Sequence, residues 1–300
     1  MSTTPRCRGP RLTSRPTRPL APRAARLALA VLASAWLLAP PAGPALAQPA
    51  AKPESGEGVD VKRSRLMLLP RSTVENSSAQ QYADLMRQAA QKGALNTDRR
   101  QVERLRNIAR RLIPHAAKFN PEAERWRWEV NLLSSKSVNA FCMPGGKIAF
   151  FSGILSALQL TDDEAAAIMG HEIAHALLEH GRARMSEQVL KNVGIGVAAS
   201  LLNLGQLSTS LLSEAANLAV TLPFSRTHET DADLVGLELA ARAGYDPRAA
   251  VNVWRKMSQL GSGQPPQFLS THPSHGSRIR EIEAALPRVL PLYERAARPG

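Results

Sequence analysis

His171-Glu172-Ile173-Ala174-His175 requires a helix, because only at helical spacing do positions i and i+4 share a face. There both imidazoles can reach one metal ion while Glu172 reaches the water beside it. The surrounding run from Ala165 to Leu178 is otherwise apolar. The motif therefore sits on a buried helix, where an unpartnered histidine is costly. Thr161-Asp162-Asp163-Glu164 is a capping-box pattern that opens this helix, and the sequence predicts that it runs to about Gly181.

Two imidazoles and a water leave a catalytic zinc site one protein ligand short. The metzincin spacing is excluded, since it needs Gly and His where this chain has Leu178 and Gly181. His180 lies nine residues after His171, about 180° around a continuous helix, so its expected role is a hydrogen bond or simple exposure. His228-Glu229-Thr230-Asp231-Ala232-Asp233 offers two acids four apart on one helix face. Glu229 is the candidate third ligand, and Asp233 the acceptor that fixes the tautomer of a ligating imidazole.

The charge balance removes one competing class. The chain carries a net +13, but residues 1–47 hold seven Arg and no Lys or acid, so the remainder has 31 bases against 25 acids. That excess is small, and aromatic residues at 4% are too few for a base-stacking platform, so no nucleic-acid partner is expected. Cys7 and Cys142 are too few for a disulfide framework. Cys142 reads as a buried small hydrophobe beside Phe141.

Residues 1–47 read as an export signal: a basic region, an apolar run from Leu27 to Ala39, and Ala45-Leu46-Ala47 as a cleavage site. The run of 13 residues falls short of the roughly 20 needed to span a membrane. An uncleaved anchor is the alternative. Residues 48–60 are a Pro- and Gly-rich flexible leader, residues 61–290 the folded domain, and residues 291–300 a tail.

Within the domain the sequence predicts helices over Ala79 to Lys92 and after an Asp98 cap, the latter burying Val102, Leu105, Ile108, Ala109 and Leu112. Alternation from Trp126 to Leu132 predicts a strand, and two more follow at Val138 to Phe141 and Lys147 to Phe151 around a Pro144-Gly145-Gly146 turn. The sheet should have three or four strands. Val193 to Leu222 reads as an apolar helical hairpin that packs over the motif helix, forms a lid, or touches a membrane surface. Helices are also expected from about Glu229 to Ala243, from Asp246-Pro247, and near Arg278 to Leu286, with Gly261 to Pro273 as a loop.

Four stretches together resemble a known family: VNAFCMPGGKIAFFSGIL (138–155), DDEAAAIMGHEIAHALLEHG (162–181), SRTHETDAD (225–233) and THPSHGSRI (271–279). The chain is similar to the gluzincin-type metalloendopeptidases that include HtpX, the CaaX prenyl protease, the mitochondrial protease Oma and the periplasmic β-barrel assembly-enhancing protease. The resemblance implies a mainly helical α+β fold, a zincin-like (minigluzincin) domain with a small β-sheet next to the motif helix. It implies one zinc ion on His171, His175 and Glu229, Glu172 as general base, and Asp233 behind the ligands. It also points to His272 as an oxyanion donor or a resting-state ligand, and to Asn139, Ala140 and Phe141 as an edge strand that holds extended substrate. Arg278 either pairs with a carboxylate near the site or lies on a helix surface.

The transmembrane helices and the helical repeat domain of some members have no counterpart here, which points away from prenylated substrates. The reading that results is a zinc metalloendopeptidase of the bacterial periplasm whose partners are unfolded or misassembled proteins. The alternative is a zinc-stabilised chaperone with little turnover, against which an intact Glu172 argues. The sequence sets no oligomeric state.

Overall fold

The computed structural model describes residues 57–61, 67–193, 223–260, 267–273 and 276–298, all within one compact unit, Lys52–Gly300. The export signal and the hairpin beyond residue 193 lie outside the described residues.

Helix α1, Arg71–Gln91, begins eight residues before the expected start. Its first turns are rich in Ser and Asn, which favour turns and caps over helix interiors. Burial of Val74, Ser78, Tyr82, Met86 and Ala89 in one stripe outweighs that local preference. Helix α2, Arg99–Leu112, has the expected cap, with the Asp98 side chain accepting from the Gln101 amide, and it buries the five expected residues.

Two 3-10 turns lead to a sheet of β1 (Glu129–Leu133), β2 (Ala140–Met143) and β3 (Lys147–Phe151), in the order β1-β3-β2. β1 runs parallel to β3 and β2 antiparallel to it. The strand expected from Trp126 starts only at Glu129, because the two indoles are anchored off the ladder: Trp126 Nε1 donates to Glu75 and Trp128 Nε1 to the Ala123 carbonyl. The β2–β3 turn places Gly145 and Gly146 at φ of 81° and 78°, and a Cβ on Gly146 would lie 2.6 Å from the Trp128 ring.

After α3 (Ser152–Ala157) comes the motif helix α4, Asp162–Leu177, opened by a complete Thr161–Glu164 capping box. Contrary to expectation it does not reach Gly181. Glu179 adopts φ of 57°, the chain turns, and a separate helix α5 runs over His180–Val193. The cause is tertiary: Glu179 accepts from Arg71 of α1 and from Arg182.

Helix α6, Arg226–Arg242, is capped by the Ser225 hydroxyl and packs against α4. The two backbones meet at a pair of glycines: a Cβ on Gly170 would lie 2.8 Å from the Gly236 carbonyl oxygen, and one on Gly236 would lie 2.7 Å from the His171 nitrogen. Helices α7 (Ala249–Gln259), α8 (Gln267–Thr271) and α9 (Arg278–Arg295) follow. α8 occupies a segment expected to be loop. α9 passes Pro287 and Pro291 where a stop near Leu286 was expected, since Ile282, Ala285, Val289 and Leu292 continue one buried stripe across both prolines. The end of the expected flexible leader is also packed: Val59 N donates to the buried Glu238 carboxylate and Gly58 N to the Arg288 carbonyl. Among the described residues no helix is long and apolar enough to cross a membrane.

Candidate metal centre

The α4–α6 packing brings His171 and His175 to Glu229, and the end of α8 adds His272; one ligand atom from each of the four lies within 4.8 Å of every other. His171 Nε2 and His175 Nε2 are 3.1 Å apart. Glu229 places Oε1 3.4 Å from His175 Nε2 and Oε2 3.6 Å from His171 Nε2. Atoms held tetrahedrally about 2.0–2.1 Å from zinc sit roughly 3.3 Å from one another, so this donor set fits that ion without rearrangement. His272 Nδ1 lies 3.1 Å from Glu229 Oε1 and 3.3 Å from His171 Nε2, among the other ligand atoms. Its backbone nitrogen donates to the Phe268 carbonyl, so a helix end rather than an open loop carries it.

Each imidazole has a distinct support. Asp233 Oδ1 lies 2.9 Å from His171 Nδ1, and Arg278 binds both Asp233 and Glu229. Arg278 is 1% exposed and its guanidinium lies 3.7 Å from the centre of the Trp254 ring, so of its two readings the buried ion pair is the one present. His175 faces His180, with the two Nδ1 atoms 2.9 Å apart. Contrary to expectation His180 does not lie on the far side of the motif helix, because α4 ends before it. Phe224 stacks on His175 at 3.8 Å, and Phe268 on His272 at 4.4 Å.

The electrostatics divide the acids by role. Burial pushes the Glu172 carboxyl up, only partly offset by His272 and His171. Its Oε1 has no hydrogen-bond partner among the described residues. Burial opposes ionisation of Glu229 as well, but the imidazoles of His175 and His272 beside it hold it well below the usual carboxylate range. Burial drives His175 well below the ordinary imidazole value, a neutral state suited to ligation. Burial also raises the Cys142 thiol, which makes it inert.

A cavity of about 80 Å³ opens beside Glu172, His175 and His272. Ala140 and Phe141 line it from β2 and Asn139 from the residue before it; β2 is an edge strand of the sheet among the described residues. Arg184 lines it from α5, its guanidinium 3.4 Å from the centre of the Phe224 ring and lowered by burial to about 9. The hydrogen bond that was one of the two roles expected of His180 is present, but to a ligand candidate the sequence placed out of its reach; Arg184, Phe224 and Trp254 were missed as neighbours of the site. Only Phe224 carried a local signal, lying beside the Ser225 cap.

A model described as peptidase family M48 matches residues 99–286. The metalloendopeptidase OMA1 of Bos taurus mitochondria is 32% identical over 250 residues, 77% of this chain and 46% of that protein. Metalloprotease LoiP of Escherichia coli is 30% identical over 149 residues, 49% of this chain and 58% of that protein. The beta-barrel assembly-enhancing protease of Yersinia pestis is 27% identical over 176 residues, 54% of this chain and 35% of that protein. The chain spans 31% to 47% of the length of the plant, fission-yeast and bovine mitochondrial metalloendopeptidases it matches.

Proposed function

The chain belongs to peptidase family M48, and from that premise we propose that it is a zinc-dependent endopeptidase of the bacterial periplasm that cuts misfolded or misassembled envelope proteins. One observation carries the reading: His171, His175 and Glu229 are gathered at ligand spacing with Glu172 beside them at the cavity. A zinc ion held there supplies a water of lowered pKa and a Lewis acid for the peptide carbonyl.

The chain's own residues do the rest. Glu172, its buried Oε1 without a hydrogen-bond partner among the described residues, takes the proton of the attacking water and passes it to the leaving amine. Asp233 holds the His171 tautomer, while Arg278 holds Asp233 and Glu229 in register. An extended peptide adds to the outer edge of β2 at Asn139 to Phe141, where main-chain hydrogen bonds bind it without demanding particular side chains. That mode suits unfolded clients.

The location rests on the signal-like pattern of residues 1–47, and the client class also draws support from the likeness to a protein named for β-barrel assembly. Purified protein given casein or an unfolded outer-membrane β-barrel protein should cut it, stop when a chelator is added, and resume with zinc. Glu172→Gln should retain zinc yet cut neither. A wild type that binds these clients and leaves them intact would establish the holding function instead.

A further inference from the structure

His175 and His180 approach through the same ring atom, Nδ1 to Nδ1 at 2.9 Å, inside a fully buried contact. Two such nitrogens attract only if one carries the proton and the other a lone pair. His175 turns Nε2 toward His171 and Glu229. If Nε2 is to give its lone pair to a metal, Nδ1 must carry the hydrogen, and the atom facing it in His180 must be the acceptor. The proton of His180 then belongs on Nε2.

The backbone is shaped to make this contact. Glu179, in the left-handed conformation, swings His180 back over His175, and Arg71 and Arg182 clamp that residue by its carboxylate. The His180 ring also stacks on the ring of His228, the residue directly before Glu229 in α6, at 4.2 Å and 20°. His180 thus joins the two ligand helices.

We propose that His180 is the positioning residue of His175, accepting its Nδ1 hydrogen and so fixing the tautomer and ring plane in which Nε2 faces the metal. This inference rests on the metalloprotease reading. It makes the two imidazoles unequal: His171 is backed by a carboxylate and His175 by an uncharged ring. A second carboxylate behind His175 would add negative charge to a site that already holds Glu229 and Asp233. An imidazole orients without that addition.

Four full-length proteins test it: wild type, His180→Asn, His180→Leu and His180→Ala. The asparagine amide oxygen reaches the place of Nδ1 and can accept, whereas leucine fills the volume and cannot. Zinc affinity is read by competition with a chromogenic chelator, and thermal unfolding of the stripped proteins reports packing. Loss of a group behind a metal ligand typically costs about 10- to 100-fold in metal affinity, and Ala and Leu should show that loss while Asn stays close to wild type. Leu at wild-type affinity, or Asn falling with Ala, would reduce His180 to a packing role and overturn the inference. A wild type that takes up no zinc would overturn the metalloprotease reading together with this one.

Discussion

Arg278 grips Asp233 along both carboxylate oxygens, Nε to Oδ2 and Nη2 to Oδ1 at 2.7 Å each, and its third nitrogen reaches Glu229 at 2.5 Å. One guanidinium therefore balances two buried acids, one of which orients His171. The planar fork of arginine makes this arrangement, and lysine cannot reproduce it.

Replacing Arg278 with Met should cost about 3–5 kcal/mol of stability in the chelator-stripped protein, since it leaves buried carboxylates without their cation. The acid response should change as well. Burial opposes ionisation of Asp233, but Arg278 and then His171 outweigh it and hold the carboxyl below its ordinary value. A depressed folded pKa contributes stability that is fully present above the unfolded value near 4 and is lost as pH falls through the folded one. Arg278→Met removes that contribution, so its acid-unfolding midpoint should lie at higher pH. Urea melts at neutral pH and a circular-dichroism pH titration check both; matching midpoints in the two proteins would refute the account.

Gly236→Ala should destabilise the fold by about 1–3 kcal/mol and weaken zinc binding, because the new methyl meets backbone and cannot be relieved by a side-chain rotation. Separation of α4 from α6 would move Glu229 away from His171. Gly276→Ala, with nothing within 4 Å of the added Cβ, is the control and should stay within about 0.5 kcal/mol of wild type. Equal melting and equal zinc affinity in the two variants would show that the crossing tolerates the methyl.

What the sequence made legible was local. The Asp98 and Thr161 caps, the buried face of α2 and the Gly145-Gly146 turn each depend on residues within a few positions of one another, and each stands where the pattern placed it. HExxH and Glu229 were legible as a group because a metal-binding reading asks for residue type and spacing together, and the structure brings them within reach of one another. The features that were not legible depend on distant partners. The break at Glu179 is held by Arg71, 108 residues away in sequence, and without it His180 falls on the wrong side of any helical wheel. The Gly170–Gly236 contact joins two helices whose crossing no single segment encodes.

Metal content should follow the geometry of Glu229. Purified wild type should carry about one zinc per chain, as a single catalytic site does, and Glu229→Ala should lose most of it. Atomic absorption on both proteins decides; full occupancy in the variant would remove Glu229 from the ligand set.

His272 stands between two roles, and its position favours one of them. An oxyanion donor should stand off from the ligands, near where a substrate oxygen develops charge. Here Nδ1 lies 3.1 Å from Glu229 Oε1 and 3.3 Å from His171 Nε2, inside the ligand cluster, while Nε2 is 3.5 Å from Glu172 Oε1. That is the place of a fourth ligand, and a fourth protein ligand closes the position that a catalytic zinc site keeps open. His272→Ala should therefore raise basal cleavage of a short quenched peptide and speed inhibition by small chelators. The ring also stacks on Phe268 and sits 5.2 Å from Phe224, so the variant's melting temperature must be followed to separate opening from loosening. A fall in kcat of roughly 10²-fold or more with KM little changed would instead assign His272 to the oxyanion.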